Sequence, residues 1–85
     1  MHATVIYGKR DVRLEVVADP VLSTGGDAIV RVVASCVCGS DLWPYRGVTE
    51  TAEPKRIGHE FVGVVEAIGD RVARIAVGDF VIAPF

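Results

Sequence analysis

Gly58-His59-Glu60, which stands between a polar loop and an apolar strand-like segment, is the most informative stretch of the sequence. Cys38 lies well upstream of it. A thiolate, an imidazole and a carboxylate are ligand types that zinc uses. Their wide spacing differs from the close cysteine pairs of zinc fingers and is more typical of catalytic sites, which assemble by tertiary folding and keep one coordination position open. The stretch therefore suggests a metal site that includes Cys38.

Each of these residues also has a simpler interpretation. An isolated cysteine is usually a small buried apolar residue, although Ser40 and Asp41 place a hydroxyl and a carboxylate close to Cys38. At the start of a strand, His59 and Glu60 could both point into solvent. Burying Glu60 without a cation nearby would be costly. Residue types alone leave the two interpretations open.

Composition indicates one small domain. The chain has 85 residues, of which 51% are hydrophobic, and a domain of this size buries only about 60% of the surface of its unfolded chain. We therefore expect another domain or a second copy to cover part of the apolar surface. Because the sequence stops directly after a strand-like segment, we also expect it to be a fragment of a longer protein.

Charge and hydropathy argue against several classes of partner. The net charge is −2, and the basic residues are scattered, so nucleic acid is not expected as a partner. No apolar run approaches the roughly 20 residues that span a bilayer, and the N-terminus does not resemble a signal peptide. A disulfide between Cys36 and Cys38 would be strained, so a reduced, cytoplasmic location is predicted.

The pattern of apolar residues predicts a mainly β fold, a barrel or a sandwich, with at most a short helix. Ser40 is expected to cap that helix, and Pro44 limits it to one or two turns. No glycine-rich phosphate loop is present, and Gly63, inside a strand, indicates close approach of another backbone or of a ligand. The predicted helix covers 40–45, and the predicted strands are 3–7, 11–17, 28–37, 61–68 (expected to be buried on both faces) and a last one within 77–83.

Three motifs carry a resemblance to a known family. In chain order they are Cys38-Gly39-Ser40-Asp41, then Gly58-His59-Glu60 with Gly63, Gly69 and Val72, and finally Val77-Gly78-Asp79-Phe80-Val81. Together they resemble the zinc-dependent alcohol dehydrogenases of the medium-chain dehydrogenase family. The resemblance implies that residues 1–85 are the N-terminal part of the GroES-like, partly open β-barrel of the catalytic domain. The Rossmann domain that binds the cofactor would lie outside this segment.

The resemblance also implies roles for individual residues. Cys38 and His59 would be ligands of the catalytic Zn²⁺, and Glu60 a neighbouring carboxylate that binds the metal in some states. Ser40 would hydrogen-bond the substrate oxygen and pass its proton on, and Asp41 would hold the other ring nitrogen of His59. The family's zinc polarises the alcohol or carbonyl oxygen while hydride moves between the substrate and NAD or NADP.

Two positions depart from patterns found in some family members. Gly39 stands where some have a cation near the cofactor pyrophosphate, and Trp43 where some have a histidine that relays protons. The proton route beyond Ser40 is therefore open. Trp43 follows Ser40 by nearly one helical turn, which predicts that it lines the substrate pocket, whereas Tyr45 is expected to plug the barrel end.

The expected function is that of a catalytic-domain segment of an NAD(P)-dependent oxidoreductase that acts on a small alcohol, aldehyde or ketone. The full-length protein would be a homo-oligomer, and a further zinc ligand would lie beyond residue 85. The isolated chain is expected to be inactive and to bind zinc poorly. The alternatives are a truncated, non-catalytic β-barrel module with weak or no metal binding and a co-chaperonin-like assembly protein, which has no use for Cys38, His59 and Glu60 together.

Overall fold

The computed structural model describes residues 1–84 and is mainly β, with strands making up 44% of the chain. It divides into two compact units: residues 1–19 and 36–59 form the first, and residues 20–35 and 60–84 form the second. The elements are β1 (His2–Gly8), β2 (Asp11–Val16), β3 (Ala28–Cys36), a 3₁₀ turn (Gly39–Asp41), α1 (Leu42–Arg46), β4 (Lys55–Arg56), β5 (Glu60–Ile68) and β6 (Phe80–Ala83).

The first unit is built on β1, which is the middle strand of a three-stranded sheet. β2 and β4 both pair with it in antiparallel orientation, on its two edges. Val5 and Ile6 of β1 are buried, with 6% and 0% of their surface exposed. Because a central strand has partners on both edges, its backbone hydrogen bonds are satisfied and its apolar side chains can supply the core.

The helical segment of the first unit consists of two short pieces. Cys38 is the N-cap of the 3₁₀ turn, so the prediction that Ser40 caps the helix is wrong. Pro44 is the third residue of α1, where its missing N–H costs nothing. The helix ends at Gly47, which has a φ of 80°, a left-handed conformation that glycine adopts without strain. The backbone N–H of Arg10 donates to the Tyr45 carbonyl at 2.8 Å, which attaches α1 to the β1–β2 turn.

The second unit contains a sheet in the order β3-β5-β6, and β5 and β6 are antiparallel. Val65 of β5 is buried, with 1% of its surface exposed. Gly63, also in β5, has no room for a side chain, because a Cβ there would lie 2.4 Å from the carbonyl oxygen of Arg31 in β3. The predicted close approach of another backbone at Gly63 is therefore confirmed, and the other backbone is that of β3.

A second close approach joins the two loops of this unit. A Cβ on Gly69 would lie 2.3 Å from the carbonyl oxygen of Gly25. The backbone N–H groups of Gly69 and Arg71 donate to the carbonyls of Asp27 and Gly25, both at 2.8 Å. Asp27 orders its own loop, because its carboxylate accepts hydrogen bonds from the backbone N–H groups of Ser23 and Thr24, each at 2.9 Å.

The predicted mainly β fold with a short helix is confirmed, and most predicted boundaries lie within one or two residues of the observed ones. The prediction missed β4, which lies in the loop before Gly58. The expectation that the strand around 61–68 is buried on both faces is also wrong, because only Gly63 and Val65 of β5 are buried. The described strands form two three-stranded sheets and no closed barrel. Within residues 1–84, no helix has the length and apolar character needed to cross a membrane.

Candidate metal centre

Two segments of the first unit carry the predicted ligands Cys38 and His59, and both are attached to the β1–β2 hairpin. Cys38 precedes the 3₁₀ turn and α1, which are tied to the β1–β2 turn through the Arg10–Tyr45 hydrogen bond. His59 follows β4, and the N–H of Ile57 donates to the Thr4 carbonyl of β1 at 3.0 Å. The short β4 strand, which the sequence did not reveal, therefore fixes the chain just before His59.

The structure brings Cys38 and His59 together as predicted. The thiol of Cys38 and a ring nitrogen of His59 lie within 4.8 Å of each other. Both residues are half-buried, and the His59 side chain keeps 36% of its surface exposed. A thiol and an imidazole at this separation can contribute two ligands to one metal ion.

Asp41 contacts both of these residues. One carboxylate oxygen, Oδ2, accepts a hydrogen bond from the backbone N–H of Cys38 at 3.0 Å. The other, Oδ1, lies 3.5 Å from Nδ1 of His59. Only 15% of the Asp41 side chain is exposed, so water screens this carboxylate little. A carboxylate at Nδ1 favours the tautomer with the proton on that nitrogen, which directs the lone pair of Nε2 towards a metal.

Ser40 lies beside the thiol. Its hydroxyl donates to Sγ of Cys38, with 3.3 Å between Oγ and Sγ. The sequence interpretation placed Ser40 near a substrate oxygen, and that role stays a prediction beside the described contact with the sulfur. Ser40 is exposed, so its hydroxyl also remains reachable for a molecule that enters from solvent.

The remaining residues singled out in the sequence lie on β5 and α1. Glu60 is half-buried and begins β5 in the second unit, directly after His59 in the chain. Trp43 and Tyr45 lie on α1 with 61% and 41% of their surfaces exposed. An indole that is mostly exposed is available to line a pocket, but exposure alone does not assign it to one. The pocket role of Trp43 therefore stays a prediction.

Comparison with protein families shows which family the chain belongs to. Residues 24–85 match the family model described as the alcohol dehydrogenase GroES-like domain, which is well over half of the chain. The chain belongs to this family. The resemblance drawn from the sequence motifs is thereby confirmed.

Individual relatives of the alcohol dehydrogenase GroES-like domain agree with this assignment. A probable zinc-binding alcohol dehydrogenase of Mycobacterium tuberculosis is 41% identical over 81 residues, which is 95% of this chain and 21% of the relative. An erythritol/L-threitol dehydrogenase of Mycolicibacterium smegmatis is 42% identical over 96 residues, covering 98% of this chain and 26% of the relative. The solved alcohol dehydrogenase TADH from Thermus sp. ATN1 superposes with a TM-score of 0.90 at 41% identity, over 100% of this chain and 25% of that one.

The described domain thus spans about a fifth to a quarter of the length of these relatives.

The sequence motifs of the domain contain residues of two kinds, those that make polar contacts and those that allow close packing. Cys38, Asp41 and His59 make polar contacts with one another, whereas Gly63 and Gly69 allow backbones to approach closely. Gly63 and Gly69 of the Gly-His-Glu motif therefore act in packing.

One contact at the centre was not predicted. The sequence interpretation connected Asp41 with His59 and overlooked its hydrogen bond to the Cys38 backbone. The spacing of Cys38 and Asp41 would have indicated it, because a carboxylate three residues after a cap commonly accepts from the N–H of the cap residue.

Proposed function

We propose that the complete protein is a zinc-dependent oxidoreductase that transfers hydride between a small alcohol and NAD or NADP, and that this domain supplies part of its catalytic zinc site. The observation that carries the proposal is the convergence of the Cys38 thiol and a ring nitrogen of His59 to within 4.8 Å. In this proposal residues 1–85 are the N-terminal part of the catalytic domain, and the dinucleotide is bound mainly by another part of the protein.

The residues present suit zinc, because a thiolate and a neutral imidazole are preferred ligands of this borderline-soft ion. Catalytic zinc sites use three protein ligands and leave one position open. Cys38 and His59 would supply two of them. Glu60 is a neighbouring carboxylate that binds the metal in some states, and a further ligand lies outside residues 1–85. When bound, zinc supplies a Lewis acid beside the substrate oxygen.

The chain's own residues prepare this chemistry. Asp41 holds the proton at Nδ1 of His59 and fixes the backbone of Cys38, which orients both ligands before metal arrives. Ser40 presents a hydroxyl that can accept the proton of an alcohol and pass it towards solvent, because it is exposed. Trp43 forms a wall of the pocket and narrows the entrance for branched substrates.

The substrate is an alcohol or the corresponding aldehyde or ketone, and the proposal includes a homo-oligomeric, cytoplasmic enzyme. A relative with a similar domain is an erythritol/L-threitol dehydrogenase, so polyols belong in the substrate panel together with linear, branched and aromatic alcohols. Turnover should be assayed with both NAD and NADP.

Metal analysis tests the ligand assignment. In the protein expressed from the complete gene, Cys38→Ala should remove one zinc per chain, because the thiolate is a direct ligand. Cys36→Ala is the matched control, since Cys36 is an exposed thiol two residues earlier, and it should keep the full zinc content. Equal zinc content in Cys38→Ala and Cys36→Ala would refute the assignment.

Turnover tests the role of Ser40. Ser40→Ala should lower kcat by about 100-fold through loss of proton transfer, while zinc remains bound. Unchanged kcat in this variant would remove Ser40 from the reaction, and absence of dehydrogenase activity in the wild-type protein across the panel would refute the proposed function as a whole.

A further inference from the structure

We propose that Ser40 also acts on the metal ligand itself, by donating a hydrogen bond from its hydroxyl to the Cys38 sulfur and thereby making the thiolate a weaker electron donor. The observation is the 3.3 Å separation between Oγ of Ser40 and Sγ of Cys38. This role is distinct from contact with a substrate oxygen, and it rests on the proposed function because it requires Cys38 to bind the metal.

The turn that carries the two residues holds them in this arrangement. The N–H of Asp41 donates to the Cys38 carbonyl at 3.0 Å, and the N–H of Cys38 donates to Oδ2 of Asp41, also at 3.0 Å. These two hydrogen bonds close the 3₁₀ turn at both ends. Ser40 lies between Cys38 and Asp41 in the chain, so the closed turn fixes the backbone from which its side chain reaches the sulfur.

The direction of the hydrogen bond follows from the chemistry of the ligand. A cysteine binds a metal as the thiolate, and a thiolate has lone pairs but no proton. The Ser40 hydroxyl is therefore the donor, and its bond to the anion is charge-assisted and stronger than a bond between neutral groups. Such a bond withdraws electron density from sulfur and makes it a weaker electron donor to the metal.

Ser40 is then a positioning residue with two acceptors, the thiolate of Cys38 and an incoming substrate oxygen. Its exposure allows the second acceptor to compete with the first. The hydroxyl that helps to move the substrate proton would also adjust the electron density of the ligand next to it.

Cobalt substitution measures this effect without using turnover. The protein expressed from the complete gene is loaded with Co²⁺, and the thiolate-to-cobalt charge-transfer absorption of Cys38 is assigned by its loss in Cys38→Ala. Without the hydrogen bond, the sulfur lone pair lies higher in energy. The band should therefore move to lower energy in Ser40→Ala, remain near the wild-type position in Ser40→Thr, which keeps the hydroxyl, and be unchanged in Ser35→Ala, which removes an exposed serine hydroxyl from β3.

The outcomes separate this inference from the function on which it rests. A band at the same energy in Ser40→Ala and wild type, with Cys38→Ala still abolishing it, would overturn the inference and leave the metal site intact. A wild-type protein without a Cys38-dependent band would overturn both. An equal shift in Ser40→Thr and Ser40→Ala would also overturn the inference, because the hydroxyl would then not be the cause.

Discussion

Both units of the domain are rich in strands, but the residues that matter most in each act in different ways. In the first unit, Asp41 joins the backbone of Cys38 to the imidazole of His59 through polar contacts. In the second, Gly63 and Gly69 permit backbones to approach so closely that a methyl group has no space. In the first unit, we therefore expect the loss of a particular polar group to be the damaging change. In the second unit, an added methyl group at Gly63 or Gly69 should be enough to disturb the packing.

This difference explains how one compact motif serves two functions. His59 and Gly63 are only four positions apart, yet the histidine belongs to the first unit and the glycine to the second. Chemistry requires a specific side chain at His59, and packing requires the absence of any side chain at Gly63. The following four experiments test this division, from the largest expected effect to the smallest.

Gly63→Ala should strongly destabilise the second unit. The added methyl would lie 2.4 Å from the Arg31 carbonyl oxygen and 2.6 Å from Cγ1 of Val30, and a backbone carbonyl in a sheet cannot move aside cheaply. We expect a loss of about 3 kcal/mol in the free energy of unfolding, measured by urea denaturation of the complete protein. Gly8→Ala is the control, because nothing lies within 4 Å of a Cβ there. Equal stability of the two variants would contradict the division.

Asp41→Asn should mainly affect metal binding. The amide can keep one of the two contacts as acceptor, but its NH₂ group cannot replace a carboxylate at Nδ1 of His59. We expect zinc affinity to fall about 10- to 100-fold, measured by competition with a chelator. Asp79→Asn is the matched control. The Asp79 carboxylate also accepts a hydrogen bond from a backbone N–H, that of Ala76 at 2.9 Å, but it lies in the second unit. If both variants hold zinc equally well, the carboxylate at position 41 serves the backbone alone.

Trp43→Ala should alter specificity more than stability, because 61% of the side chain is exposed. Loss of the pocket wall should raise KM for small alcohols about tenfold and admit branched ones, with kcat little changed, since the lost contact is ground-state binding. Tyr45→Ala, on the same helix, is the control. A panel of linear, branched and aromatic alcohols that shows no difference between Trp43→Ala and wild type would assign the indole to packing.

Asp27→Asn should have the smallest effect, and only as a function of pH. Hydrogen bonds from the Thr24 and Ser23 backbone and from the Thr24 hydroxyl lower the pKa of Asp27 in the folded domain. A carboxyl group whose folded pKa is lowered stabilises the fold above its unfolded pKa of about 3.9, and this contribution disappears as pH falls through the folded value. The difference in Tm between wild type and Asp27→Asn should therefore be constant at neutral pH and shrink below about pH 4. A difference that does not depend on pH would show that the charge of Asp27 is not what orders its loop.

Much of the fold could be predicted from local pattern. Alternation of apolar and charged residues indicated β2, and the valine-rich runs indicated β3 and β5, because these signals depend on near neighbours in the chain. β4 was missed because Lys55 and Arg56 carry no apolar pattern. Their strand exists only because β1 offers an edge with unpaired N–H and C=O groups.

The sequence by itself determined the ligand types at the candidate site and the family, since both follow from residue identity and order. Only the tertiary structure decided that the Cys38 thiol and the His59 ring approach within 4.8 Å, that one Asp41 carboxylate contacts both, and that Ser40 faces the sulfur. These contacts depend on how β1 and β4 hold two distant segments of chain. Spacing along the sequence cannot encode such distances, because they result from the packing of the whole unit.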